Sequence, residues 1–254
     1  MGEAIFRLLK KRPGLSFNIY SLNVKTTKGA TYAKNIQELA EKSDILFLCI
    51  KPQDFYLLNR LDFPKKQTDK IVISIMAGVR IKNITKITGQ KKIIRTMPNL
   101  PLQIGEGVIG WHTNKNLFKK SELKEIEALL SFFGKKFYVQ KEDLIDSITA
   151  ISGSGPAYVF LFMEALIQSA MHLGLSKEQS QQIVMQTING SLAYINSQEN
   201  NVDLKELIAR VKSKKGTTEA ALDTINVENF YNKWIKATNA ARKRARELSS
   251  HEIN

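Results

Sequence analysis

Seven consecutive residues, Asp44-Ile45-Leu46-Phe47-Leu48-Cys49-Ile50, carry only one polar side chain other than the thiol, and it comes first. A half-exposed strand would alternate apolar with polar residues, and a buried helix would run longer. A short segment that is apolar on both faces suits a strand inside a parallel sheet, because crossover helices cover both faces of such a sheet. Helices must then lie between strands, and the neighbouring sequence supplies them. Residues 1–11 read as a helix and residues 15–20 as a short strand. Asn35, with Glu38 three positions on, forms a cap pair opening a helix that runs to Lys42. Further strands are expected at 70–75, 92–96, 107–112 and 136–140, with a helix over 119–133. Strand and helix in alternation predict a mainly parallel α/β sheet.

After Glu142 no strand pattern remains. A helix is expected over 156–173, ended by Gly174. Ser176 with Gln179 forms a capping box for the next helix, and Asp203 with Glu206 caps another that ends near Lys212. Thr217-Thr218-Glu219 opens a further helix, and residues 227–248 form the last. The expected organisation is an α/β domain over 1–142 and an all-helical domain over 143–254.

Composition narrows the partners. The net charge is 38 − 24 = +14, which favours nucleic acid, an anionic membrane face or a phosphate-bearing cofactor. The basic residues are spread along the chain, and the one dense cluster, Arg242-Lys243-Arg244 with Arg246, has no nucleic-acid fold signature beside it, so no nucleic acid is expected. The longest apolar run, 156–163 with 165–167 beyond Glu164, falls short of the ~20 residues that span a bilayer, so no membrane is expected. His112, His172, His251 and the single Cys49 have no metal-ligand spacing. One cysteine and no signal segment at Met1 predict a cytoplasmic protein.

In open parallel sheets ligands bind beyond the carboxyl ends of the strands. Three turns fall there: Lys51-Pro52-Gln53, Met76-Ala77-Gly78-Val79 and Met97-Pro98-Asn99-Leu100-Pro101. Singly each is an ordinary strand-to-helix turn; together they suit a flat ligand lying against backbone. The turn Tyr20-Ser21-Leu22-Asn23-Val24-Lys25-Thr26-Thr27 has hydroxyls and a lysine but no carboxylate for ribose hydroxyls, which favours NADP over NAD if it is more than a solvated loop. Ser213-Lys214-Lys215-Gly216-Thr217-Thr218 precedes a helix and reads either as an anion site suited to a carboxylate or as a plain threonine cap.

The segment Glu142-Asp143-Leu144-Ile145-Asp146-Ser147-Ile148-Thr149-Ala150-Ile151-Ser152-Gly153-Ser154-Gly155-Pro156-Ala157-Tyr158 resembles the signature of pyrroline-5-carboxylate reductases. Lys51-Pro52-Gln53, Ala77-Gly78-Val79, Met97-Pro98-Asn99 and Gly216-Thr217-Thr218 fall in that family's order. The resemblance implies a Rossmann-like, mainly parallel sheet followed by an all-helical dimerisation domain. It also implies reduction of a cyclic imino acid, pyrroline-5-carboxylate, to proline by NADPH, with NADH as the alternative donor. The helical domain would form a homodimer through interleaved helices, and dimers could assemble into rings, with the helix from Pro156 buried partly by the partner. Thr218 would bond the imine nitrogen, Gly216 and Thr217 would hold the substrate carboxylate, and Glu142 and Ser152 would face the substrate. Met1, Gly2, Ser21, Asn35, Cys49, Ile50, Lys51, Pro52, Met76, Ala77 and Gly78 would line the cofactor cleft.

Two departures stand out. The family's Ser-Pro-Gly-Gly-like lead into the threonines is here Ser213-Lys214-Lys215-Gly216. Met1-Gly2-Glu3-Ala4 looks like the tail of the family's opening glycine-rich turn, so the first strand and its glycines are expected to be missing, through a start internal to a longer reading frame or in a repurposed paralogue. The competing expectation is a non-catalytic dimeric paralogue that has lost cofactor binding. A dehydrogenase of hydroxy acids with a catalytic lysine is disfavoured, because the helical domain has no matching lysine on an apolar face.

Overall fold

Alternation within each strand divides the apolar side chains between two faces of a sheet, and each face recruits its own helices. The computed structural model describes residues 1–21, 28–55, 69–198 and 203–248. Its elements run α1 (Gly2–Leu9), β1 (Asn18–Ile19), β2 (Thr31–Tyr32), α2 (Ile36–Glu41), β3 (Ile45–Leu48), α3 (Pro52–Phe55), β4 (Ile71–Ser74), α4 (Ile81–Thr88), β5 (Lys92–Pro98), β6 (Gly107–His112), α5 (Lys120–Ser131) and β7 (Gly134–Tyr138). Helices follow: α6 (Leu144–Ile148), a π-turn over Thr149–Gly153, α7 (Gly155–His172), α8 (Lys177–Asn196), α9 (Leu204–Val211), α10 (Thr217–Ile225) and α11 (Val227–Glu247).

Five strands form one sheet in the order β3-β4-β5-β6-β7, and β1 pairs with β2 in a separate parallel ribbon. All pairings in the larger sheet are parallel except β5 with β6. That reversal follows from chain length. Only residues 99–106 join β5 to β6, and a parallel crossover needs a dozen or more. One face carries Ile71, Ile73, Ile94, Ile109 and Trp111 against Ile5, Leu8 and Leu9 of α1 and Ile126, Leu129 and Leu130 of α5. The other carries Leu46, Leu48, Val72 and Ile93 against Ile36 and Ala40 of α2, Phe55 of α3, and Ile84 and Ile87 of α4. Each leucine, isoleucine, valine or phenylalanine side chain so removed from water contributes about 1.5–3 kcal/mol before entropy is counted. This is a Rossmann-like, mostly parallel domain with helices on both faces.

The chain divides into two compact units, residues 1–156 with 239–254, and residues 157–238. Compactness thus splits the chain later than the change of pattern near 142, and the end of α11 belongs with the first unit. The cause is ionic as well as apolar. Arg95 in β5 pairs with Glu142 and Asp146, and Ile145 and Ala150 are buried, so residues 142–153 are sewn onto the sheet.

The second unit holds α8, α9, α10 and most of α7 and α11, and no described residue beyond β7 forms a strand. Ser176 and Gln179 reciprocally cap α8, and Asp203 caps α9 through the Lys205 amide. Tyr158 and Phe230 meet the edges of Trp234. Yet α7 has no buried residue: Val159, Phe160, Leu161 and Phe162 are 50–65% exposed. The helical run Leu144–His172 is also continuous over 29 residues, long and apolar enough by composition to cross a membrane. The apolar run alone understated it, because α6 and the π-turn extend the same helix.

Candidate active site

The carboxyl ends of β3, β4 and β5 lie on one edge, since Leu48 pairs with Ser74 and Ser74 with Arg95 in parallel register. Cys49 and Ile50 leave β3 half-buried, Lys51 is exposed, and Pro52 opens α3. The α3 turn is closed by the Asp54 amide, which donates to the Lys51 carbonyl at 2.9 Å. At the end of β4 the Ser74 hydroxyl, fully buried, accepts the Met76 amide at 3.2 Å, and the Thr96 hydroxyl donates to the Ser74 carbonyl at 2.9 Å. Met76 is buried, and Gly78 follows at φ +75°, a left-handed conformation that a side chain resists.

The amino end of α1 meets this edge. A Cβ on Gly2 would stand 2.8 Å from the Cys49 Cβ, so only glycine lets the helix approach β3 so closely. Met1 occupies the cap position without a side-chain bond, leaving the first-turn amides of α1 to other acceptors. Burial pushes the Cys49 thiol up to about 12, with the nearby amino terminus opposing weakly. The thiol is therefore inert lining rather than a nucleophile. Asn35 caps α2, its Oδ1 accepting the Glu38 amide at 2.8 Å, while Glu38 Oε2 accepts the Lys34 amide at 2.6 Å. Ser21 lies two residues beyond β1. The rest of its turn, Leu22-Asn23-Val24-Lys25-Thr26-Thr27, lies outside the described residues, as does His251.

At the end of β5 the Asn99 side-chain amide donates to the Ser152 hydroxyl at 3.2 Å, while Asn99 Oδ1 accepts the Val108 amide at 2.9 Å. A Cβ on Gly153 would come 3.4 Å from Met97 Sδ, whereas one on Gly155 would meet nothing within 4 Å. The serine–glycine segment is therefore docked on the end of β5 at Ser152 and Gly153, not at Gly155. Glu142, expected to face the substrate, has its Oε1 engaged by the Ile81 amide at 2.8 Å and Arg95 Nη1 at 3.2 Å. Arg95 thus joins the candidate site without having been singled out from the sequence, while Asn99, read there only as part of a strand-end turn, gains a defined partner in Ser152. The available signal was an arginine in the middle of the apolar strand Lys92–Pro98, a charge that cannot be buried without partners.

In the second unit Gly216 is the cap residue of α10, with Thr217 and Thr218 its first two positions. No side chain caps this end, so its leading amides are open to an anion. A Cβ on Gly216 would collide with the Ser213 hydroxyl. Lys215, standing where the resembling family has glycine, adopts φ +60°. Its amide donates to Glu219 Oε2 at 2.7 Å, and Lys212 pairs with Glu219 Oε1 at 3.2 Å. These two contacts, the Lys215 amide foremost, hold the Glu219 carboxyl below the usual carboxylate range.

Residues 142–248 match the family model described as pyrroline-5-carboxylate reductase dimerisation, and residues 18–78 match that of an NADP oxidoreductase, coenzyme F420-dependent. A pyrroline-5-carboxylate reductase of Aquifex aeolicus is 36% identical over 228 residues, spanning 89% of this chain and 83% of the relative. One from Staphylococcus aureus is 32% identical and spans 99% of this chain and 96% of its own length. The crystal structure of Plasmodium falciparum pyrroline carboxylate reductase with NADP bound superposes with a TM-score of 0.86 at 29% identity, covering 98% of this chain and 95% of that one.

Proposed function

The chain belongs to the pyrroline-5-carboxylate reductase family, and on that premise we propose that it reduces the ring imine of 1-pyrroline-5-carboxylate to proline with a hydride from NADPH, a closing step of proline synthesis. The observation that carries the reading is the joining, on one sheet edge, of three strand-end turns with the serine–glycine segment through Asn99 and Ser152.

The residues on that edge fit a dinucleotide. The left-handed Gly78 leaves backbone without a side chain where a flat ligand would lie, and the close packing of Gly2 on Cys49 brings the start of α1 up to the same edge. The uncapped first turn of α1, at Met1 and Gly2, suits a phosphate. Ser21 and Asn35 would flank the ribose side, and Cys49-Ile50-Lys51-Pro52 and Met76-Ala77-Gly78 the ring. When bound, the cofactor supplies the hydride. The protein's work is orientation, since reacting atoms must be held about 3–3.5 Å apart. A cyclic imine takes up a proton readily, so no strong acid is needed.

On α10 the amides of Gly216 and Thr217 would hold the substrate carboxylate. The Thr218 hydroxyl, able to accept or donate, would fix the imine nitrogen. Replacing Thr218 by valine removes one hydrogen bond to a group that carries charge during reduction, about 1.5–3 kcal/mol, hence about 10- to 100-fold in kcat/KM. A valine variant with wild-type kcat/KM defeats the assignment.

The exposed apolar face of α7, within the segment that matches the dimerisation model, supports a homodimer, and stacking of dimers into rings extends that reading. A second copy of the chain is preferred over a lipid bilayer as the cover of α7, because dimerisation accounts for the apolar residues without leaving Glu164 in hydrocarbon. The free Cys49 supports a reducing, cytoplasmic setting.

A further inference from the structure

Arg95 is buried to 0% side-chain exposure in β5 and makes two ion pairs: Nη2 with Asp146 Oδ1 at 2.5 Å and Nη1 with Glu142 Oε1 at 3.2 Å. The same Glu142 oxygen accepts the amide of Ile81, the first residue of α4, at 2.8 Å. Beside it Arg80, the cap residue of α4, pairs with Asp143 at 2.8 Å. Two successive acidic residues therefore grip the start of α4, two residues past Gly78, while Arg95 ties one of them to β5. The segment they begin continues to Ser152, which Asn99 binds at the end of the same strand.

We infer that Arg95 and Glu142 form a positioning pair that sets the separation between the Met76-Ala77-Gly78 turn and the Ser152-Gly153 segment. This rests on the reading that the edge holds a nicotinamide cofactor. A buried ion pair is weak support for stability, and apolar residues of similar volume would often serve the fold as well. What apolar residues cannot supply is a planar fork that fixes two carboxylates at set angles, one of them shared with an amide of a third element. Displacement of about 1 Å in such a frame costs about a hundredfold in rate. Neither residue needs to touch substrate or cofactor for this role.

The test compares Arg95→Lys and Glu142→Gln with the wild type in the full chain. Lysine keeps the charge and loses the fork. Glutamine keeps an acceptor for the Ile81 amide, loses the charge, and leaves Arg95 paired with Asp146. Each is expected to melt cooperatively, with kcat lowered about tenfold or more and KM for the imino acid within about threefold. The NADPH dissociation constant, read by nicotinamide fluorescence, is expected to weaken, and amide hydrogen exchange over residues 76–82 to quicken in Glu142→Gln by more than its loss of global stability accounts for. Wild-type kcat and exchange in a folded Glu142→Gln variant would overturn the inference, and that variant decides alone if Arg95→Lys does not fold. A wild type inactive toward the imine fails the functional reading instead, and the exchange comparison still decides the pair.

Discussion

Replacing Asp146 by alanine leaves the Arg95 guanidinium in the sheet with one carboxylate instead of two. The magnitude follows from the surroundings. Arg95 and Asp146 are 0% and 2% exposed at their side chains, so water cannot replace the lost oxygen. Removing one partner of a buried pair costs about 3–5 kcal/mol. Glu142 remains at 3.2 Å and is 21% exposed, which points to the lower end, about 3 kcal/mol. For a unit of this size each kcal/mol moves the midpoint by about 2–4 °C, so Asp146→Ala should melt about 6–12 °C below the wild type. Arg7→Ala is the control. Its pair with Glu3 is 75% and 65% exposed, and such pairs are worth under about 1 kcal/mol. Calorimetry or urea titration of the three proteins reads both differences. An Asp146→Ala variant melting within about 2 °C of the wild type would refute the assignment of a buried, doubly paired charge.

Three further outcomes are expected. Cys49, its thiol pushed up to about 12 by burial, should hold about a thousandfold less thiolate near neutral pH than an ordinary cysteine and alkylate only after unfolding; because the folded pKa is raised, its stabilising contribution is whole below the ordinary thiol pKa and is lost as pH rises toward 12, and rapid alkylation of the native protein at pH 8 refutes this. Leu161→Glu, placing a charge at a position 65% exposed in the single chain, should convert the proposed dimer to monomer in light scattering, and an unchanged oligomer would remove α7 from the proposed interface. Lys215→Gly relieves a left-handed conformation worth about 1–2 kcal/mol against a flexibility cost of about 0.5–1 kcal/mol; urea titration should show a net gain of up to about 1.5 kcal/mol, and a loss would mean that Lys215 itself anchors the loop.

What the sequence made legible was whatever has a local signature. The unbroken apolar run became β3 in a parallel sheet, and the Asn35–Glu38 and Ser176–Gln179 pairs cap α2 and α8 as their spacing implies. The strand-end turns were legible because a turn must follow each strand. The Arg95 pairs were not, since their partners lie 47 and 51 residues away and leave no pattern in any short window. The two-residue β2 at Thr31–Tyr32 was missed for a related reason, being held by pairing with β1 rather than by its own apolar content. The left-handed Lys215 was also invisible, because the Glu219 carboxylate that accepts its amide is part of the next helix.

The central claim, that this chain reduces a cyclic imino acid, is tested most directly by following NADPH consumption and proline formation together. The purified protein is given 1-pyrroline-5-carboxylate, with its oligomeric state checked in the same preparation. Consumption that depends on the imine and matches proline mole for mole is the expected result. A folded dimer that neither binds NADPH nor consumes it with the imine present would contradict the claim and leave a non-catalytic dimer in its place.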